Sequence, residues 1–377
     1  MRLLLFSVLV WVLQLPALGQ QGAAGVRVAL RNPSATAPYS GLAAIPWQQV
    51  RAVWPGVDTA KLTVLGANKQ PLAWQLEYLG TGKVANLLVQ VQLAKGAQQV
   101  LVLAPGTRKA IPAATYCRYV PERYEDFAWE NDKIAFRAYG KALESTNENA
   151  WGIDVWSKRT TNLVIDKWYK TADYHKDYGE GLDYYKVGFT LGAGGLAAMH
   201  ADTLCYARNY IRWEILDNGP LRSRFRLYHA PWQAGPATVA LVREIWIDVG
   251  SQLFTTKATV QITGADSVDL AVGIRKNNGT DAILMDETQN LMGYWNPEEA
   301  PNGTIGVGCI FSAPGVRQYA TDKHVLAVAK VGNGASFTYR AGAAWNKAGQ
   351  ITTAAAWMQY LMQQQASAAP IIEWIKK

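Results

Sequence analysis

The sequence predicts an all-β protein: a small N-terminal β-sandwich, a large β-sandwich of long strands, and a short C-terminal helix. Three observations predict it. Up to Pro105, short alternating runs separated by turn residues recur at roughly ten-residue spacing, the signature of a small sandwich. From Tyr116 onward the alternating runs lengthen, as in large curved sheets packed face to face. Only Thr353–Gln365, rich in Ala, Met, Leu and Gln and closed before Pro370, has a helical composition.

The first residues read as an export signal. Arg2 gives a positive start, Leu3–Leu15 is apolar, and Ala17-Leu18-Gly19 supplies the small residues of a cleavage site before Gln20. The apolar run is too short to span a bilayer and ends at Pro16. We therefore expect residues 1–19 to be removed and the mature chain to be soluble, without membrane insertion, in the periplasm or secreted.

The small sandwich is assigned to residues 20–104. Val26–Leu30 alternates and stops at Arg31-Asn32-Pro33, Leu62–Leu65 stops at the turn Gly66-Ala67-Asn68, and Leu87–Leu93 is followed after Lys95-Gly96 by Gln99–Leu103. Residues 105–115, Pro-containing and poor in apolar residues, read as a linker, leaving 116–377 to the large sandwich. There the turn Asp217-Asn218-Gly219-Pro220 joins Tyr206–Leu216 to Leu221–Leu227, and Val249-Gly250-Ser251 joins Val239–Asp248 to Leu253–Thr263. Strict alternation puts Arg222, Arg224 and Arg226 on one face, free for a polyanion or paired with Glu214 and Glu244 on neighbouring strands.

The chain has 37 Lys and Arg against 29 Asp and Glu; removing Arg2 leaves 36 − 29 = +7. A positive balance favours anionic partners. The charge is spread along the chain and no nucleic-acid motif occurs, so acidic carbohydrate is the better-fitting partner. The 15 Trp and 18 Tyr, against 8 Phe, offer flat faces with polar tips suited to sugar rings. Cys117, Cys205 and Cys309 are far apart and lack zinc-site spacing, so they read as packing residues, with one bridge open in an oxidising compartment.

Three polar clusters are candidates for chemistry. Trp168–Gly195 contains Tyr174-His175-Lys176-Asp177-Tyr178-Gly179-Glu180-Gly181-Leu182-Asp183-Tyr184-Tyr185-Lys186 and then Gly192-Ala193-Gly194-Gly195. Apolar periodicity is almost absent there, so it is either a solvated loop or the lining of a site. In Glu122–Asp132, strand alternation would turn Asp126, Ala128 and Glu130 one way and Phe127 and Trp129 the other, with Arg123 and Arg137 at hand as partners for the carboxylates. Asn147–Arg159 mixes amides, charges, Trp151 and Trp156 in the manner of a sugar-binding surface.

The segments Glu122–Arg137, Gly152–Arg159 and His175–Lys186, followed by Gly192–Gly195, resemble the exported bacterial proteins of domain of unknown function family 4861. The resemblance spans nearly the whole mature chain and is most specific over His175–Lys186. It implies a large sandwich of the galactose-mutarotase or lyase type. It also implies work in systems that degrade pectin, ulvan and other uronate-containing polysaccharides, by a lyase or an accessory enzyme. It brings no catalytic assignment.

A uronate lyase neutralises the carboxylate, takes the neighbouring proton with a base and protonates the leaving oxygen with an acid. His175 and Tyr178, three apart in a Gly-flanked stretch, suit base and acid in either order. Arg123, Arg159 and Lys176 are candidate partners of the carboxylate, and Glu180, Tyr184 and Trp156 candidate contacts to the sugar. A glycoside hydrolase would instead draw two carboxylates from Glu130, Glu180 and Asp183, and a non-catalytic carbohydrate-binding protein would need neither set. No Gly-x-Ser-x-Gly elbow, phosphate loop, helical zinc pair or dinucleotide fingerprint is present. No cofactor or metal is expected; the acidic clusters leave calcium open, although no calcium-loop spacing occurs.

Overall fold

The computed structural model describes residues 25–171 and 173–375. The expected export signal lies outside the described residues.

The alternating runs form strands, and two sandwiches result. In the small one, a sheet ordered Ile371–Ile375, Val26–Arg31, Gln98–Pro105, Leu62–Leu65 faces a three-stranded sheet ordered Tyr39–Pro46, Asn86–Leu93, Trp74–Glu77. Val28, Leu30, Ile45, Leu87, Leu101 and Leu103 meet between them with no exposure. The expected boundary gave every residue after 115 to the large unit. The chain instead returns Ile371–Ile375 antiparallel to Val26–Arg31, with Ile372 and Trp374 packed on the small core. An edge strand with unpaired backbone groups and an apolar run with no partner satisfy each other there.

The large sandwich sets one broad sheet against two narrower ones. The broad sheet has eight strands, in the order Tyr210–Asn218, Arg222–Ala234, Ala237–Asp248, Leu253–Thr263, Ser336–Trp345, Ile305–Phe311, Leu291–Trp295, Ala282–Asp286. Both anticipated hairpins are present, at Asn218/Arg222 and at Asp248/Leu253. One five-stranded sheet runs Gly181–Asp183, Ile153–Lys158, Ala135–Ala138, Asp126–Asn131, Thr115–Val120; the other runs Thr203–Tyr206, Ala193–His200, Ser267–Arg275, His324–Gly332, Arg317–Ala320. They abut where Ile153 bridges Gly192. One apolar core links them to the broad sheet, with Phe127, Trp129, Phe136, Val155 and Leu182 on one side and Phe225, Ile245 and Phe254 on the other. The helix Ala354–Ala366 lies where the sequence places it and seats Trp357 and Leu361 against the outer side of the broad sheet, beside Leu291 and Ile310.

The arginine strip is not a free cationic face. Arg222 pairs with Asp248 and Glu77, Arg224 with Glu77 and Glu244, and Arg226 with Glu244 and Glu214. Glu77 comes from the small sandwich, so two of these arginines fasten one sandwich to the other. Asp217 adds to that junction by accepting the N–H groups of Tyr78 (2.7 Å) and Leu79 (2.9 Å). All three cysteines are free thiols, Cys117 and Cys309 buried.

Candidate functional site

The site grows from the outer face of the first five-stranded sheet. Alternation sends Phe127, Trp129, Phe136, Val155 and Leu182 into the core. The same alternation turns Asp126, Glu130, Arg137, Asp154, Trp156, Lys158 and Asp183 to the opposite face, yet all seven are buried. The segment between Lys158 and Gly181 folds back over them. Trp156 stacks on Trp168 (centroids 5.5 Å apart) and on Tyr174 (5.2 Å), and Tyr169 leans on it at 4.8 Å. Gly181 lets the returning strand close, since a Cβ there would lie 1.9 Å from the Ser157 carbonyl oxygen.

Two charge clusters hold this cover down. In the first, Lys158 Nζ donates to Glu130 Oε2 (2.7 Å) and to the Asn131 carbonyl (2.6 Å). The Glu130 carboxylate also accepts the N–H groups of Val164 and Ile165 at 2.8–2.9 Å. Burial lowers the affinity of Lys158 for its proton, and Glu130 pulls it back up. In the second, Arg137 gathers three aspartates: Nε and Nη2 reach Asp154 at 3.0 and 2.5 Å, Nη2 reaches Asp183 at 3.0 Å, and Nη1 reaches Asp126 at 3.4 Å. Burial raises the Asp126 carboxyl to about 6 against the pull of Arg137 and Arg123. Burial and the Asp154 charge raise Asp183 well above the carboxylate range. All three carboxyls around the one guanidinium are thus raised above their usual range, burial being the largest cause for each.

His175 sits at the rim of this cluster. A carbonyl oxygen only accepts, so the 2.8 Å contact between His175 Nδ1 and the Asp183 carbonyl requires Nδ1 to carry the proton. The Nε2 lone pair is then free of that contact on a ring 62% exposed, and Asp183 Oδ2 lies 3.8 Å from Nδ1. Beside it is a cavity of about 160 Å³ lined by Lys167, Trp168, Thr171, Tyr174, Lys176, Tyr178, Glu180 and Gly181. Tyr178 is 65% exposed, with the Lys176 ammonium 5.5 Å from its ring. Lys167 holds Glu180 at 2.6 Å. Tyr174 links cavity and cluster: its hydroxyl lies 3.3 Å from Arg137 Nη1 and 3.4 Å from Arg123 Nε.

Of the residues singled out in the sequence, Lys176, Tyr178 and Glu180 line this cavity; His175 is not in the lining but lies between the lining residues Tyr174 and Lys176 in the chain, its ring 4.5 Å from that of Tyr174. The others do not take the expected places. Arg123 is engaged by Glu148 at 2.5 Å, and Arg159 by Asp177 while lying over the Trp345 ring, so neither is an unpaired cation waiting for a carboxylate. Trp156, 1% exposed, supports the cavity floor and cannot touch a sugar. Tyr184 lines a different cavity. Of the carboxylates weighed for hydrolysis, Glu180 alone faces this cavity; Glu130 and Asp183 are buried under the cover. Sequence reasoning included Trp168, Thr171 and Tyr174 in the candidate segment without giving them a role, and it missed Lys167, which lies just before that segment. Among the described residues no group of three or more His, Cys, Asp or Glu is placed to hold a metal ion, and where three aspartates meet the Arg137 guanidinium fills the centre. No helix among them is long and apolar enough to cross a membrane.

Fold and site together define a two-sandwich β-protein with a polar, aromatic-lined cavity on its outer face. Residues 30–371 match the family model described as domain of unknown function DUF4861, and the chain belongs to that family. A relative from Formosa agariphila, described as uncharacterized protein P7, is 31% identical over 274 residues, 67% of this chain and 68% of the relative. Among solved structures, the chain is similar to a protein of glycosyl hydrolase family 38 from Enterococcus faecalis, with a TM-score of 0.53 and 10% identity over 93% of this chain and 47% of that one. An α-mannosidase from Enterococcus faecalis V583 aligns with a TM-score of 0.47 and 9% identity, over 93% of this chain and 46% of that one. The chain thus spans just under half the length of these two structures. At such identity the likeness to the family 38 protein is one of fold.

Proposed function

We propose that the protein acts on uronate-containing polysaccharide or oligosaccharide by β-elimination, outside the cytoplasm, at the cavity beside His175. The observation that carries the reading is the His175 tautomer. Nδ1–H is anchored on the Asp183 carbonyl, which leaves the Nε2 lone pair as a base on an exposed ring whose chain neighbours Tyr174 and Lys176 line the cavity. In the proposed reaction Lys176 meets the substrate carboxylate and stabilises the enolate-like charge. His175 Nε2 takes the proton next to the carboxylate, and the Asp183 carbonyl that accepts from Nδ1 steadies the imidazolium. The bond to the leaving oxygen breaks, its electron pair stays on that oxygen, and the Tyr178 hydroxyl supplies the proton. Tyr178 then recovers one from solvent as His175 releases its own.

The sandwich shared with a glycosyl hydrolase family 38 protein supports carbohydrate as substrate, and it is the observation that favours hydrolysis as a second reading. Hydrolysis by the two-carboxylate route needs both groups at one bond, and only Glu180 faces this cavity.

The test is ultraviolet detection of the conjugated product on a panel of polyglucuronate, polygalacturonate and ulvan-type polymers. Conversion is expected with the parent protein and should fall about 10²- to 10⁴-fold in His175→Ala and sharply in Tyr178→Phe. New reducing ends without the conjugated band would give the reaction to a hydrolase. Binding that survives both substitutions with no turnover would leave a carbohydrate-binding protein.

A further inference from the structure

The stretch Glu180–Lys186 lines two cavities. Glu180 and Gly181 border the one beside His175, and Tyr184, Tyr185 and Lys186 border a second. From Gly181 to Tyr184 an extended chain advances only about 10 Å. The second cavity also draws on Arg275, Asn277 and Glu299, and its polar groups are unevenly satisfied. The hydroxyls of Tyr184 and Tyr185 are both buried and have no hydrogen-bond partner. Tyr185 is 7% exposed as a whole. A buried hydroxyl without a partner is costly, and such groups in a native protein usually have one that arrives from outside. The interior has about 20 Å³, so a small polar group can enter and a sugar ring cannot. Its donors are two phenols, the Arg275 guanidinium, which also donates to the Lys186 carbonyl, and the Lys186 ammonium, held at 3.0 Å by Glu299, the one carboxylate in the lining. Burial keeps the Tyr185 phenol protonated far beyond its usual range, so it stays a donor at any working pH.

The structure assigns to this second cavity the role of a subsite for the carboxylate of a further uronate residue on the same chain, with Tyr185, Tyr184 and Arg275 as its donors. This rests on the reading that acidic carbohydrate occupies the cavity beside His175. A single exocyclic carboxylate entering a small, donor-rich recess would fix the register of an oligosaccharide whose neighbouring residue reacts.

The experiment is calorimetric titration of the full chain with uronate oligosaccharides of increasing length, and with neutral oligosaccharides as a control. The parent protein, Tyr185→Phe and His175→Ala are compared, with thermal melting as a check on folding. Tyr185→Phe keeps the ring that packs in the core. Affinity of the parent should rise with length for the acidic series only, and Tyr185→Phe should lose roughly tenfold or more on the longer members. An unchanged length dependence in Tyr185→Phe would overturn the subsite, leaving the recess to a water. Equal gains with neutral chains would overturn the carboxylate. Failure of the underlying reading looks different: no acidic oligosaccharide of any length would bind the parent, or His175→Ala would leave turnover intact.

Discussion

Lys158→Met probes the clamp that holds the cover of the site. The ammonium and the Glu130 carboxylate are both without solvent exposure and 2.7 Å apart. Methionine nearly matches the lysine stem in length, so the change removes charge with little loss of packing. Removing one member of a buried ion pair costs about 3–5 kcal/mol, because the other charge stays buried and uncompensated. Glu130 keeps the N–H groups of Val164 and Ile165, which places the expected loss near the lower end, about 3 kcal/mol. Adding Glu130→Gln removes the stranded charge and should recover part of it. Urea unfolding followed by tryptophan fluorescence gives the free energies. Limited proteolysis between Lys158 and Gly181 should show the cover opening before the rest of the fold. If Lys158→Met stays within ~1 kcal/mol of the parent, as an exposed pair would, the clamp is not what holds this segment. A double variant no better than the single would refute the argument from uncompensated charge.

Two further outcomes follow from burial. Asp126 is held up at about 6 mainly by burial, above the ~3.9 of an unfolded chain. The folded state therefore binds this proton more tightly, and Asp126 costs stability once it ionises. That contribution falls as pH rises from about 4 to about 6, by on the order of 2 kcal/mol. The stability of the parent relative to Asp126→Asn should accordingly grow on acidification from neutral pH, measured by urea unfolding at a series of pH values, and parallel curves would contradict it. Thiol labelling should find Cys205 reactive in the native protein and Cys117 and Cys309 reactive only after unfolding, since burial raises both of those thiols far above their usual range. Reductant should leave the melting temperature unchanged; a shift would indicate a bridge.

Elements whose cause lies within a short window could be read directly from the chain. Alternation wrote the strands from Arg222 to Thr263, Asn218-Gly219-Pro220 and Val249-Gly250-Ser251 wrote their turns, and composition wrote the helix near Thr353. Alternation also separated Phe127 and Trp129 from Asp126 and Glu130. The polar stretch around His175 stood out because it has no apolar period. Partners were another matter. Nothing near Arg222 or Arg224 in the chain points to Glu77, and nothing in Ile371–Ile375 says that it pairs with Val26–Arg31. Trp156 reads as a sugar platform until the segment after it folds back and buries it. Arg137, Asp126, Asp154 and Asp183 meet only because four strands come into one register. Periodicity fixes which way a side chain points, whereas its partner depends on strand order and layer packing between residues far apart in sequence, and that was settled only by the tertiary structure.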